Sequence, residues 1–201
     1  MPLKRFVKLS TVSVVIMAAV LMTAGVQYAV RAQSGADWGP LWTAQGELKL
    51  PNNFRQWVFL GSPLTPNALN GGQAGFPEYH NVYVQPEAFK AFQTTGEWPE
   101  GTIMLKELQL TQPGTNPDGS SIEASGRGFF PAALNGIDIS VKDSSRFKDS
   151  NGWGFFNFGH HAPPYAETAG VQPVEACAGC HMANATDMVF SKFYTPILHA
   201  K

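Results

Sequence analysis

The sequence predicts an α+β domain: a mainly antiparallel, curved β-sheet with a few helices, the last of them near the C-terminus. Three observations point there. Short apolar-alternating runs recur between turn signals, the pattern of half-buried strands. The 20 Gly and 15 Pro are spread along all 201 residues, which argues against a helical bundle. Aromatic residues make up 12% of the chain and charged residues only 14%, enough apolar material for a large core or an apolar pocket. No internal repeat is visible.

FRQWVFLG (54–61) carries the first strand pattern, and LTPNALNGGQAGFPE (64–78) reads as a loop. YHNVYVQ (79–85) is a strand that puts His80, Val82 and Val84 on one face. PEAFKAFQTTG (86–96) is a short helix, with Pro86 suited to its first turn and Gly96 to its end. GTIMLKELQLT (101–111) is a strand, followed by the turn-rich TQPGTNPDGSS. GIDISVKD (136–143) and GWGFFNFGH (152–160) are further strands, and HAPPYAETAGVQP (161–173) is an irregular connection. VEACAGCHM (174–182) and DMVFSKFYTPIL (187–198) are expected to be helical, the second broken by Pro196.

Ahead of this domain the chain has the marks of a targeting segment. Lys4, Arg5 and Lys8 precede an uncharged run over residues 9–26, and the small residues Val30 and Ala32 suit a signal-peptidase site after Ala32. The expectation is a signal peptide over residues 1–32 and one domain over residues 33–201. An uncleaved N-terminal anchor is the alternative, since the apolar run is close to the ~18 residues of a membrane helix. Either way the domain is exported, periplasmic if released and facing the periplasm if anchored. Cleavage removes four basic residues and no acidic one, leaving 10 Lys+Arg against 15 Asp+Glu, a net charge of −5. So acidic a domain is a poor candidate for binding nucleic acid.

Cys177 and Cys180 are the only cysteines, and His181 follows the second directly. C-x-x-C-H is the attachment sequence of a c-type haem. Two thiols on one turn each form a thioether with a haem vinyl group, and the next imidazole becomes the proximal iron ligand. A thioredoxin-like pair normally opens a helix within a βαβ unit, and this one ends a β-rich chain. A structural zinc site needs about four ligands, and there is no second cysteine pair. Only twenty residues follow His181. Met188 is too near to cross to the opposite haem face, and nothing singles out Met104. The expected iron is therefore five-coordinate with an open distal site, suited to small ligands or catalysis rather than electron carriage alone.

In the strand over 101–111, alternation places Thr102, Met104, Lys106, Leu108 and Leu110 on one side. Lys106 thus stands among apolar partners. It either snorkels to water or is buried with a neutral, nucleophilic amine.

NNFRQWVFLG, NVYVQPEAFKAFQTTGEWPEGTIMLKEL, ISVKDSSRF and CAGCHMANATDMVFSKFYTPIL, in this order, resemble the cytochrome P-460 family. The resemblance implies a curved β domain with one haem c, commonly a homodimer. It makes Cys177 and Cys180 the thioether attachments, His181 the iron ligand, and Lys106 the lysine that catalytic members bond to a haem meso carbon. It also implies an oxidoreductase that takes hydroxylamine to nitrous oxide or nitric oxide and passes electrons to a redox partner such as another cytochrome. The alternative is a beta-type cytochrome c-prime, which binds or senses nitric oxide without the crosslink. An electron carrier is a third reading.

Asp138 stands where the distal carboxylate is expected, although the apolar run Ile137, Ile139 and Val141 would equally let it face solvent. His80 is the other distal candidate, in a place where some hydroxylamine oxidisers are similar in plan but carry Arg. His160 and His161 read as surface residues, and Arg127 as a distant candidate for a haem propionate. Phe129, Phe130, Phe155, Phe156 and Phe158 supply either a substrate pocket or a Phe cap, with most of them expected in the core.

Overall fold

A computed structural model describes residues 38–200, so the expected signal peptide or anchor over 1–32 lies outside the described residues. Among the described residues no helix is long and apolar enough to cross a membrane. The strands are β1 (Leu48–Lys49), β2 (Val58–Gly61), β3 (Glu78–Val84), β4 (Ile103–Thr111), β5 (Ser121–Glu123), β6 (Gly126–Gly128), β7 (Pro131–Lys142), β8 (Trp153–Asn157) and β9 (Thr168–Ala169). The α-helices are α1 (Pro86–Thr95), α2 (Ala178–Asn184) and α3 (Thr195–Leu198).

The expected antiparallel sheet is present, in the order β2-β3-β4-β7-β8. Successive strands of the meander are neighbours; the small β5–β6 hairpin is an excursion between β4 and β7. Register shifts interrupt β2–β3 between Phe59 and Gly61, and β4–β7 around Gln109. Such bulges bend a strand and increase its twist, which curves the sheet.

Both faces of the sheet are covered. On one, Ile103, Leu105, Ile137, Ile139, Val141, Phe156 and Phe158 pack with Phe54 and with the β1–β9 ribbon. On the other, Val82, Val84, Met104, Trp153 and Phe155 pack with α1 and with Ala178, Met188, Val189, Tyr194 and Ile197 of the C-terminal segment. Each large apolar side chain fully removed from water contributes roughly 1.5–3 kcal/mol, so neither face is a minor one. Helix α1 is anchored where the sequence puts it: Pro86 occupies the first turn, and Gly96 caps the end in a left-handed conformation with its N–H on the Phe92 carbonyl.

Three expectations need correction. The first apolar run opens as a 3₁₀ turn, Phe54–Gln56, before the strand begins at Val58. The helix at the cysteine motif starts at Ala178, with Cys177 as its N-cap residue, rather than at residue 174. The run over 187–198 is not one helix broken by Pro196. It is a turn, a 3₁₀ stretch Ser191–Phe193 and then α3, and Pro196 lies in the first turn of α3, where its missing N–H costs nothing.

Candidate functional site

The site is built between the C-terminal segment and the sheet face it covers. Cys177, at the N-cap of α2, and Cys180 and His181, within the helix, are brought together by one helical turn. Both thiols are free. His181 Nδ1 lies 2.6 Å from the Met188 carbonyl oxygen. A carbonyl only accepts, so Nδ1 carries the hydrogen and Nε2 keeps its lone pair. Burial lowers the His181 pKa, which favours that neutral ligand form; the Lys106 charge acts in the same direction and the Met188 bond opposes it. Phe155 and Phe190 hold the ring from its sides, with centroids 4.6 and 4.7 Å away.

The turn that presents the Met188 carbonyl is unusual. Asp187 and Met188 both have positive φ, 45° and 63°, within a tight Thr186–Val189 bridge. Two non-glycine residues keep such a conformation only when their surroundings fix it. Here the Asp187 carboxylate receives Trp153 Nε1 at 3.2 Å and Lys142 Nζ at 2.9 Å. The Met188 sulfur points instead to Asn151, 3.9 Å away.

On the facing sheet, register aligns Val82, Lys106, Asp138 and Asn157 in one row across four strands. Lys106 Nζ lies 3.0 Å from Asp138 Oδ2. Asn157 donates to Asp138 Oδ1 at 2.8 Å, and His160 Nε2 stands 3.2 Å from both oxygens. His80 shares this face, and its Nε2 is buried without a hydrogen-bond partner among the described residues. Burial first, then the Lys106 charge, pushes its pKa from 6.5 down to about 4, against a bond to the Phe76 backbone and the pull of Asp138. Phe76 closes the group: Lys106 Nζ lies 4.5 Å above its ring, and His80 and His160 meet it edge-on at 5.7 and 6.0 Å.

The two walls face each other. The Lys106 charge is felt at His181 and Cys177, and Asp138 acts on Cys177, whose thiol burial pushes its pKa up. A separate cleft of about 310 Å³ opens beside α2 between Phe155, Val174 and Ala178. Lys106, Asp138 and His80 do not line it, so it is not the space between the walls.

Asp138 therefore does not face open solvent. The apolar Ile137, Ile139 and Val141 serve the other covered face, which leaves Asp138 on the side of Lys106. His160 and His161 are both exposed, as expected of surface residues, but His160 is also a partner of Asp138, whereas His161 bonds the Ala162 carbonyl. The surroundings of Lys106 are not apolar alone, because the Asp138 carboxylate stands beside its amine. Arg127 is committed to Asp118 and Ser120 next to the β5–β6 hairpin. Of the phenylalanines, Phe155 belongs to the site, while Phe156 and Phe158 are core on the far face. Phe76 went unnoticed because it lies in a loop with no periodicity to place it.

No curated protein matches this chain. The residues present fit a haem: two thiols on one turn, a neutral imidazole with a free Nε2, apolar walls, and an unpartnered buried nitrogen on the opposite side. The Cytochrome P460 family model matches residues 51–191, more than half of the chain and all of the two walls just described, and the chain therefore belongs to this family of haem proteins.

Proposed function

We propose that the protein is an exported monohaem c-type cytochrome that oxidises hydroxylamine to nitrous oxide or nitric oxide. One observation carries this reading: a carboxylate, Asp138, stands beside Lys106 and His80 on the sheet face that the C-x-x-C-H segment covers. Thioethers to Cys177 and Cys180 and the Nε2 of His181 would hold the haem, which when bound supplies an open coordination position and takes up electrons. The protein's own groups handle protons and orientation.

Hydroxylamine gives up protons and electrons in equal number. Asp138 is the base for those protons, a role that general acid–base catalysis assigns to a group within hydrogen-bond reach of the substrate. His80 orients the substrate. Its Nε2 is buried and has no hydrogen-bond partner among the described residues, and in the tautomer with the hydrogen on Nδ1 it is an acceptor. Hydroxylamine offers N–H and O–H donors to it and nitric oxide offers none, and a site with an unmet hydrogen-bonding group rejects the ligand that leaves it unmet. The proposed bond from the Lys106 nitrogen to a haem meso carbon would replace an N–H and the meso C–H, with two electrons passing to an external oxidant such as a peroxide, and Asp138, 3.0 Å from the amine, would take the nitrogen's proton. Electrons would pass to a redox partner in the exported compartment, and the family resemblance favours a homodimer.

A second reading is a nitric oxide-binding protein with Lys106 unlinked, which Phe76 favours by packing an apolar ring over the amine. The test is the absorption spectrum of the reduced haem protein and of Lys106→Ala, with hydroxylamine turnover of Asp138→Asn. The enzyme reading expects a red-shifted Soret band that returns to an ordinary c-type position in Lys106→Ala. It also expects turnover to fall by about 10²-fold or more in Asp138→Asn. An ordinary high-spin c-type spectrum in both proteins, with nitric oxide binding and no turnover, overturns it in favour of the second.

A further inference from the structure

We infer that His160 is the outlet for protons collected by Asp138, the link between the covered face of the sheet and solvent. This rests on the reading of Asp138 as the base of the site, and no part of the family resemblance points to His160.

The geometry is specific. His160 Nε2 lies 3.2 Å from both oxygens of Asp138. Side-chain exposure rises from 24% at Asp138 to 42% at His160, so the histidine is the outward end of the pair. Two features of the chain hold it there. Asn157 donates to Asp138 Oδ1 at 2.8 Å, and its own oxygen accepts the Gly159 N–H at 2.9 Å, so one side chain fixes both the carboxylate and the start of the His160 loop. Gly136, beside Asp138 on β7 with φ of +155°, leaves room for that loop: a Cβ there would meet the Gly159 oxygen at 2.7 Å and His160 Cδ2 at 3.0 Å.

The other neighbours of Asp138 do not serve as an outlet. Lys106 is its ion-pair partner, and the Asn157 amide does not titrate. His80 makes no hydrogen bond to Asp138 through its buried Nε2. Imidazole is the side chain that exchanges protons near neutrality, and it carries one nitrogen for uptake and another for release. The charged and titratable groups facing His160 are Asp138 directly and Lys106 and His80 behind it; Phe76 closes one side, and His161 turns its ring nitrogen to the Ala162 carbonyl at 2.7 Å. In the step itself, the proton on Asp138 moves to His160 Nε2, the second ring nitrogen gives one to water, and Asp138 is restored as a carboxylate. No electron moves.

The test uses hydrogen cyanide with the ferric haem-loaded protein, because this weak acid is protonated in neutral solution and binds iron as the anion. A proton must leave the pocket on each binding event. Nitric oxide binds without losing one and is the control. We expect cyanide association to slow by about tenfold or more in His160→Gln and His160→Ala, less than the roughly 10²-fold or more of a direct general acid or base because His160 acts through Asp138. Nitric oxide association stays unchanged, and added imidazole restores the rate of His160→Ala. An unchanged cyanide rate, or an equal fall for nitric oxide, overturns the outlet. Asp138→Asn separates the two levels. If it slows cyanide binding while His160→Gln does not, His160 alone is wrong. If it leaves cyanide binding unchanged, the reading of Asp138 as the base falls with it, and if hydroxylamine turnover is absent while both variants slow cyanide, the outlet stands without that substrate.

Discussion

At Asp138 three side chains converge on one carboxylate, and the charge of Lys106 spreads from there to His80 and His181. His80 is the residue whose titration makes this visible. Its folded pKa, about 4, lies below the ordinary 6.5, so between those values the unfolded chain binds the proton more readily. The stability gained by keeping His80 neutral is thus complete above pH 6.5 and is lost as the pH falls toward about 4. Urea unfolding of the wild type and of His80→Gln checks this: the difference in their midpoints is expected to be flat above pH 6.5 and to change between 6.5 and 4. A difference that is constant across that window refutes a buried, depressed His80. The sequence made some of these residues legible and hid others. Cys177, Cys180, His181 and Lys106 were visible because spacing and alternation place them. The side taken by Asp138 was ambiguous, since both faces of β7 are covered and an apolar neighbour set no longer marks a solvent face. His160 was hidden because its position depends on a loop closing over a glycine on another strand.

That closure belongs to the scale of elements. β7 runs through Gly136 at positive φ just where its pairing with β4 shifts register, and the β8 end folds back onto the gap. Gly136→Ala places a methyl group 2.7 Å from the Gly159 carbonyl in a conformation that L side chains rarely adopt. Overpacking of this kind costs about 1–3 kcal/mol, and thermal unfolding is expected to show that loss together with the slowed cyanide association of the His160 variants. Normal stability in Gly136→Ala means that the loop moves freely and is not held by this contact. Long periodic elements such as β3, β4, β8 and α1 were readable from alternation and caps. β1 and β9 were not: two residues carry no period, and their pairing, Leu48 with Ala169, joins segments more than a hundred residues apart. The short hairpin β5–β6 was concealed in a run whose turn residues outnumber its strand residues.

Across the whole molecule, the two faces of the sheet are closed by different means. The face with Ile139 and Phe156 is sealed by β1, β9 and the Phe54 turn, all parts of the chain that pair or pack directly with strands. The face with Lys106 is sealed by α1 and by a C-terminal segment whose helices, α2 and α3, have seven and four residues. Helices this short do not persist alone in water, so the segment depends on Met188, Val189, Tyr194 and Ile197 staying docked. A haem bonded to Cys177, Cys180 and His181 would add a covalent tie between that segment and the space over the sheet. Regions with few contacts of their own open first, at a free energy below that of global unfolding. The double variant Cys177→Ser, Cys180→Ser is therefore expected to be cut first after residue 173 under limited proteolysis, leaving a sheet fragment that resists further digestion. The haem-loaded wild type is expected to resist at the same protease dose. Simultaneous cleavage throughout the sheet in the double variant would mean instead that the segment and the sheet unfold as one unit, with the haem stabilising the whole domain rather than its last turn.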